Sequence, residues 1–214
     1  MATGPHEKLS VEEIANSLTH GVGLVLSVAG LIFLVTLAAF RGDGWHIASS
    51  VVYGASLVIL YGASTCYHGT TSPELKRKLQ IVDHCCIYLL IAGSYTPFAL
   101  IALGGALGAG LLTFAWASAV LGIAMKVIFR GRFGVAGVIS YVVMGWVGII
   151  AVQPLYAALG AAPLALVVAG GMSYSIGVVF FGWHSIRHHH AIFHVFVLGG
   201  SILHFLAIAI YVMP

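Results

Sequence analysis

The chain has 214 residues, of which 60% are apolar and 7% are charged, against roughly 25% charged residues in an ordinary soluble domain. A soluble chain with so few charges could not cover its surface, so the composition excludes a soluble globular enzyme, a disordered chain and a nucleic-acid-binding protein. The net charge is +3, but in a membrane protein the placement of the charges is more informative than their sum.

Residues 1–16 are polar and mildly acidic, and they lack the basic start of a signal peptide. Seven apolar stretches follow, each of about 20 to 24 residues, which is enough for a helix to cross roughly 30 Å of hydrocarbon. The sequence therefore predicts an all-α integral membrane protein, with an N-terminal segment over 1–16 and a seven-helix transmembrane domain over 17–214. The predicted spans are Ser17–Phe40, His46–Tyr67, Ile81–Leu103, Leu107–Ile128, Gly134–Gln153, Ala162–Phe181 and Ala191–Met213.

The basic residues predict the orientation of this bundle. With seven spans, one side of the membrane carries eight of the nine Lys and Arg residues, and the other side carries only Arg41. Because short cytoplasmic loops are enriched in Lys and Arg, we expect the N-terminus in the cytoplasm and the C-terminus outside. The eight residues are Lys8, Lys76, Arg77, Lys78, Lys126, Arg130, Arg132 and Arg187.

Ionisable residues inside apolar spans are costly, so each of them is a candidate functional residue. The second span ends with His68, the third opens with Asp83, and the seventh opens with His190 and His194, which are four residues apart and share one helix face. The predicted topology places all four near the cytoplasmic ends of their helices. Ser64 lies one turn before His68 on the same face.

Three imidazoles at one membrane depth suit Zn²⁺, since a catalytic zinc ion takes three protein ligands and keeps a fourth position for water. A nearby carboxylate such as Asp83 could hold that water or orient a ligand. The Ser64 hydroxyl could donate to a substrate carbonyl or to the water. These residue types predict a zinc site that could activate water.

Simpler explanations exist for each residue. A histidine pair four residues apart arises by chance on helices, and a carboxylate in a first helical turn, as predicted for Asp83, is favoured by the helix dipole. The Ser64 hydroxyl could bond a backbone carbonyl one turn back. His20 and His204 also fall within or near spans, where they are expected to form hydrogen bonds between helices rather than to bind a metal.

Several long segments resemble the bacterial hemolysin III proteins, and the resemblance runs from about residue 10 to the C-terminus. That family belongs with the progestin and adipoQ receptors, which include the adiponectin receptors, and is distantly similar to the alkaline ceramidases. The matching segments are Glu12–Gly21, Ser64–His68, Asp83–Phe98, His190–His194 and Val197–Ser201.

The resemblance implies a seven-helix bundle with a cytoplasmic N-terminus, spanning the cytoplasmic (inner) membrane of a bacterium several times. It also implies a Zn²⁺ ion bound near the cytoplasmic face by His68, His190 and His194. The aspartate and serine of the family pattern fall on Asp83, which contacts the metal through water, and on Ser64.

We expect the protein to hydrolyse an amide bond of a membrane lipid with zinc as its cofactor. In that hypothesis Asp83 takes a proton and returns it to the leaving amine, while Ser64 steadies the carbonyl oxygen. Alternatively, the zinc only clamps helices together, or the protein is a non-enzymatic sensor or regulator of membrane state. A pore-forming cytolysin is less favoured, because a pore needs polar residues along several helices.

Overall fold

The structure, a computed structural model, describes residues 9–130 and 134–214. Lys8 and Arg132, two of the charges that predict the orientation, lie outside the described residues, as does the whole first half of the segment 1–16. The described chain contains α-helices and no strand. The helices are α1 Val11–Arg41, α2 Gly44–Gly69, α3 Pro73–Pro97, α4 Gly105–Ile128, α5 Gly134–Trp146, α6 Val152–Leu159, α7 Ala161–Gly182 and α8 His189–Tyr211.

Seven helical segments of the described residues are long and apolar enough to cross a membrane. Two of them are composite. The third runs over Pro73–Leu103, because a π-helical turn continues α3, and the fifth runs over Gly134–Leu159, where a 3₁₀ segment joins α5 to α6. The predicted all-α, seven-span architecture is therefore confirmed.

The third span begins earlier than the sequence suggests. The Ser72 side chain accepts the N–H of Leu75, and Pro73 occupies the first helical position, where its missing N–H costs nothing. Asp83 therefore lies about three turns inside α3 rather than in its first turn. Because the helix dipole acts only within the first turn, it does not explain this carboxylate.

The π-helical turn of the third span follows Pro97. Proline has no N–H to donate, and its ring opposes the carbonyl one turn earlier, so the regular α-helical bonding stops there. The backbone then closes a wider turn over Phe98–Leu103, in which the N–H of Gly104 bonds to the carbonyl of Ala99 at 3.0 Å. Gly104 has φ +59°, a backbone conformation that glycine adopts without strain.

The interior of the bundle lies where α1, α2, α3 and α8 meet. The helix α1 packs along α2 and also contacts α8, while α2 packs against α3. Their shared core includes the fully buried side chains of Leu34, Tyr53, Tyr61 and Ile208. Large apolar side chains such as Phe40 and Leu121 lie on the outer surface, as expected where lipid replaces water. The site described next lies at one end of this interior.

Candidate metal centre

Three histidines from two helices meet at one end of the bundle. His68 is the penultimate residue of α2, and His190 and His194 lie in the first turns of α8. One ligand nitrogen from each lies within 4.8 Å of the other two. His68 and His194 are each only 2% exposed, and His190 is half-buried, so two of the three rings are shielded from solvent.

The three rings meet edge to face rather than stacking on one another. The centroid of the His68 ring lies 5.0 Å from that of His190 and 4.9 Å from that of His194, and the latter two are 4.7 Å apart. The interplanar angles are 67° to 74°. Rings turned in this way can direct nitrogen lone pairs at one point.

The helix α1 supplies the outer partners of two of these histidines. His68 Nδ1 lies 2.6 Å from Glu13 Oε2, and a longer contact of 3.4 Å joins it to Asn16 Nδ2. His194 Nδ1 lies 3.2 Å from the backbone carbonyl oxygen of Asn16 and 3.4 Å from Thr19 Oγ1. An ionised carboxylate and a carbonyl oxygen can only accept, so His68 Nδ1 donates to Glu13 Oε2 and His194 Nδ1 donates to the Asn16 carbonyl oxygen. The Asn16 amide nitrogen is itself a donor, so its contact with His68 Nδ1 is not a hydrogen bond in this tautomer. Nε2 is then the nitrogen with the free lone pair.

Ser64 contacts a fourth histidine, which lies on α1. The distance between His20 Nδ1 and Ser64 Oγ is 2.7 Å, and the His20 ring stacks on His194 with 3.5 Å between centroids. The expectation that His20 forms a hydrogen bond between helices is thus confirmed. The same holds for His204, whose Nε2 lies 3.1 Å from the carbonyl oxygen of Val167 on α7.

Asp83 is connected to this group through Ser64 and lies outside the set of three ligand residues. Asp83 is 8% exposed, and its carboxylate faces the Ser64 hydroxyl. In the described part of the chain, no lysine or arginine forms an ion pair with it. A buried carboxylate without a cationic partner next to three imidazoles suits a role beside a bound cation rather than in a salt bridge.

The residues present fit a zinc ion. Neutral imidazole nitrogen is a preferred zinc ligand, and three such ligands are typical of zinc sites that keep an open position. The buried Nε2 of His68 has no hydrogen-bond partner among the described residues. An unsatisfied buried nitrogen is unfavourable, and a metal ion at this point would satisfy it.

Comparison with known proteins identifies the family of the chain. The sequence model of the family described as "Haemolysin-III related" matches residues 9–205. The chain belongs to this family. Among its relatives, it is 48% identical over 200 residues to the "Hemolysin-3 homolog" of Bacillus subtilis (strain 168), covering 94% of each chain. It is 45% identical over 203 residues to "Hemolysin-3" of Bacillus cereus, covering 95% of this chain and 93% of the relative.

A human protein is similar over nearly the same length. The chain is 30% identical over 215 residues to the human "Monocyte to macrophage differentiation factor". The alignment covers 97% of this chain and 87% of the human protein. The similarity thus includes all the helices that bring the histidines together. Together with the fold, these relatives indicate a multi-pass membrane protein.

The sequence interpretation of this haemolysin-III-related chain missed Glu13 and Asn16 on α1, and it expected His20, on the same face, only to form a hydrogen bond between helices. Glu13, Asn16 and His20 are three and four residues apart, which places them on one helix face. Asn16 and His20 are each 3% exposed. This spacing is visible in the sequence, but Glu13 falls within the segment 1–16, which is expected to lie before the first span.

Proposed function

We propose that His68, His190 and His194 bind Zn²⁺ and that the protein is a zinc-dependent hydrolase of amide bonds in membrane lipids. The observation that carries the proposal is a group of three imidazoles, two of them buried, with the Ser64 hydroxyl one turn before His68 and the Asp83 carboxylate facing that hydroxyl. A site between helices of a membrane bundle would admit an apolar substrate from the bilayer. Its candidate substrate is therefore a lipid with an N-acyl group.

We also propose that the site lies near the cytoplasmic face of a bacterial inner membrane, with the N-terminus inside and the C-terminus outside. The support comes from the basic residues. Lys76 lies at the same end of the bundle as the three histidines, since its Nζ is 2.8 Å from Glu13 Oε1. Arg77 and Lys78 follow it directly. Short loops with such clusters favour the cytoplasmic side.

A zinc ion held by the three histidines would polarise a substrate carbonyl and make a water molecule a better nucleophile at neutral pH. The remaining chemistry falls to the protein. Asp83 is buried, faces the Ser64 hydroxyl one turn before His68, and has no cationic partner in the described chain, so we assign its carboxylate the role of accepting a proton from water. The same group can then return that proton to the leaving amine.

Ser64 is suited to hold the carbonyl oxygen of the substrate. For its hydroxyl to donate to that oxygen, it must receive rather than give the proton in its 2.7 Å contact with His20 Nδ1. His20 would therefore carry its proton on Nδ1, which leaves Nε2 without one. The Nε2 atom of His20 is indeed buried without a partner among the described residues. His20 thus orients Ser64.

The test is to purify the full chain in a mild detergent, measure zinc per chain, and assay N-acyl lipids with and without a chelator. The expected result is about one zinc ion per chain and a hydrolysis that the chelator abolishes and added zinc restores. The exposed histidine variant His184→Ala is the matched control and should keep both. A chain that holds zinc yet hydrolyses no N-acyl lipid would contradict the enzymatic proposal and favour a structural clamp or a sensor.

A further inference from the structure

We propose that Glu13 is a positioning residue for the metal ligand His68, and that Lys76 holds Glu13 in place. This inference rests on the proposed metal site. Glu13 lies in the first turn of α1 and is not one of the three candidate ligand residues. It acts through the imidazole ring, by fixing which nitrogen faces the other two histidines.

The two oxygens of the Glu13 carboxylate have different partners. Oε2 lies 2.6 Å from His68 Nδ1, and Oε1 lies 2.8 Å from Lys76 Nζ. The contact therefore joins α1, the end of α2 and the first turn of α3. The carboxylate is engaged on both sides, so its orientation toward the histidine is determined.

This contact decides the tautomer of His68. The ring must donate from Nδ1, since an ionised carboxylate has no proton to give. The Nε2 atom keeps its lone pair, and it is buried without a hydrogen-bond partner in the described chain. A carboxylate on the far nitrogen of a histidine ligand fixes the orientation of the ring and makes the ligand nitrogen more basic. Glu13 is thus placed to strengthen metal binding at His68.

The ion pair with Lys76 lowers the free-energy cost of placing the Glu13 carboxylate in an apolar bundle. The Glu13 side chain is 25% exposed and that of Lys76 is 29% exposed, while that of His68 is 2% exposed. A carboxylate at this depth is costly when unpaired. The Lys76 ammonium balances the negative charge of Glu13 at Oε1, and the His68 ring donates a hydrogen bond to Oε2. The three side chains form a connection from the surface to the metal site.

Glu12 provides the matched control. It precedes Glu13 in the same turn of α1, has the same charge and is also partly exposed, but no hydrogen bond or ion pair joins it to a histidine in the described residues. Replacing either glutamate by glutamine changes the total charge of the N-terminal turn by the same amount. Only the replacement of Glu13 also removes a contact that orients His68.

The experiment measures the zinc dissociation constant of the full chain in detergent, by competition with a chelator whose absorbance reports free zinc. Four variants are compared with the wild type: Glu13→Gln, Glu13→Ala, Lys76→Met and Glu12→Gln. Loss of an outer partner of a ligand typically weakens metal binding about 10- to 100-fold. We expect Glu13→Ala near the upper end of that range and Glu13→Gln near the lower end, because its amide oxygen can still accept from Nδ1. Lys76→Met should weaken binding less, and Glu12→Gln should bind as the wild type does.

The melting temperature of the metal-free protein separates positioning from a purely structural role. If Glu13 only joins α1 to its neighbours, its variants lower that temperature and leave the zinc affinity of the folded protein unchanged. If Glu13→Ala does not fold, the isosteric Glu13→Gln decides, and equal affinity of wild type and Glu13→Gln would overturn the inference. A wild-type chain that binds no zinc would instead overturn the proposed metal site, and this inference with it.

Discussion

Replacement of Asp83 by asparagine separates a catalytic metal site from a structural one. Asparagine has nearly the same volume and still offers an oxygen to the Ser64 hydroxyl that faces it, but it cannot take up a proton. The three ligand nitrogens do not include Asp83, so all of them remain. We therefore expect a folded protein that still binds zinc and has lost its function.

The magnitudes of the two effects differ enough to be told apart. Loss of a group that orients water or a ligand weakens metal binding about 10- to 100-fold, or roughly 1.4 to 2.8 kcal/mol. Loss of a general base slows a reaction about 10²- to 10⁴-fold, or roughly 2.7 to 5.4 kcal/mol in barrier height. At a saturating zinc concentration the weaker affinity no longer lowers the zinc occupancy, whereas the loss in reaction rate remains.

The assay compares zinc per chain by elemental analysis, melting temperature and hydrolysis of an N-acyl lipid at saturating zinc. Glu74→Gln is the matched control. It removes a carboxylate from the start of the same helix, where the side chain is 72% exposed and pairs with Lys78, and we expect wild-type values in all three measurements. A zinc-loaded Asp83→Asn protein with wild-type activity would rule out the role of Asp83 as a base. Loss of zinc together with folding would show that the site is a structural clamp.

Three further predictions concern the ligands, the topology and the core. The double variant His190→Ala/His194→Ala removes two of three ligand nitrogens and should lose nearly all zinc in elemental analysis; unchanged occupancy would refute the metal assignment. In a chain without its three native cysteines, Arg77→Cys should resist an impermeant thiol reagent added outside intact cells, while Arg41→Cys should react; the reverse pattern would invert the proposed orientation. Ser201→Ala removes the oxygen that the hydroxyls of Tyr61 and Tyr174 contact at 2.8 and 2.9 Å. Thermal unfolding in detergent should therefore show a loss of about 1 to 2 kcal/mol, and an unchanged melting temperature would contradict that packing.

The seven spans and the meeting of the three histidines could be predicted from the sequence, because both depend on long-range regularities. A stretch of about 20 apolar residues predicts a span whatever its neighbours are. Alternation of the spans then brings the end of the second and the start of the seventh to the same side, so His68, His190 and His194 had to lie at one depth. Their mutual distances of up to 4.8 Å required the structure.

Helix boundaries were less predictable, and one of them changed the interpretation of a site residue. The hydropathy pattern places the start of the third span at Ile81, whereas the helix itself begins at Pro73, with Ser72 as its N-cap. Polar residues such as Lys76 and Gln80 can extend a transmembrane helix into the interface, and a hydropathy pattern does not detect them as helix. For that reason Asp83 was expected in a first turn, although it lies deep enough for the helix dipole to have no effect on it.

The charges around the three histidines are consistent with a bound divalent cation. Two carboxylates, Asp83 and Glu13, face this end of the bundle, and the described residues give only Glu13 a lysine partner. Three neutral imidazoles cannot balance the remaining negative charge, and a lone carboxylate in an apolar bundle is costly. A doubly charged ion bound as proposed would supply positive charge near Asp83. Under the proposed function both carboxylate variants are informative: Glu13 would act on the ligand, where the readout is affinity, and Asp83 would act on the substrate side, where the readout is rate.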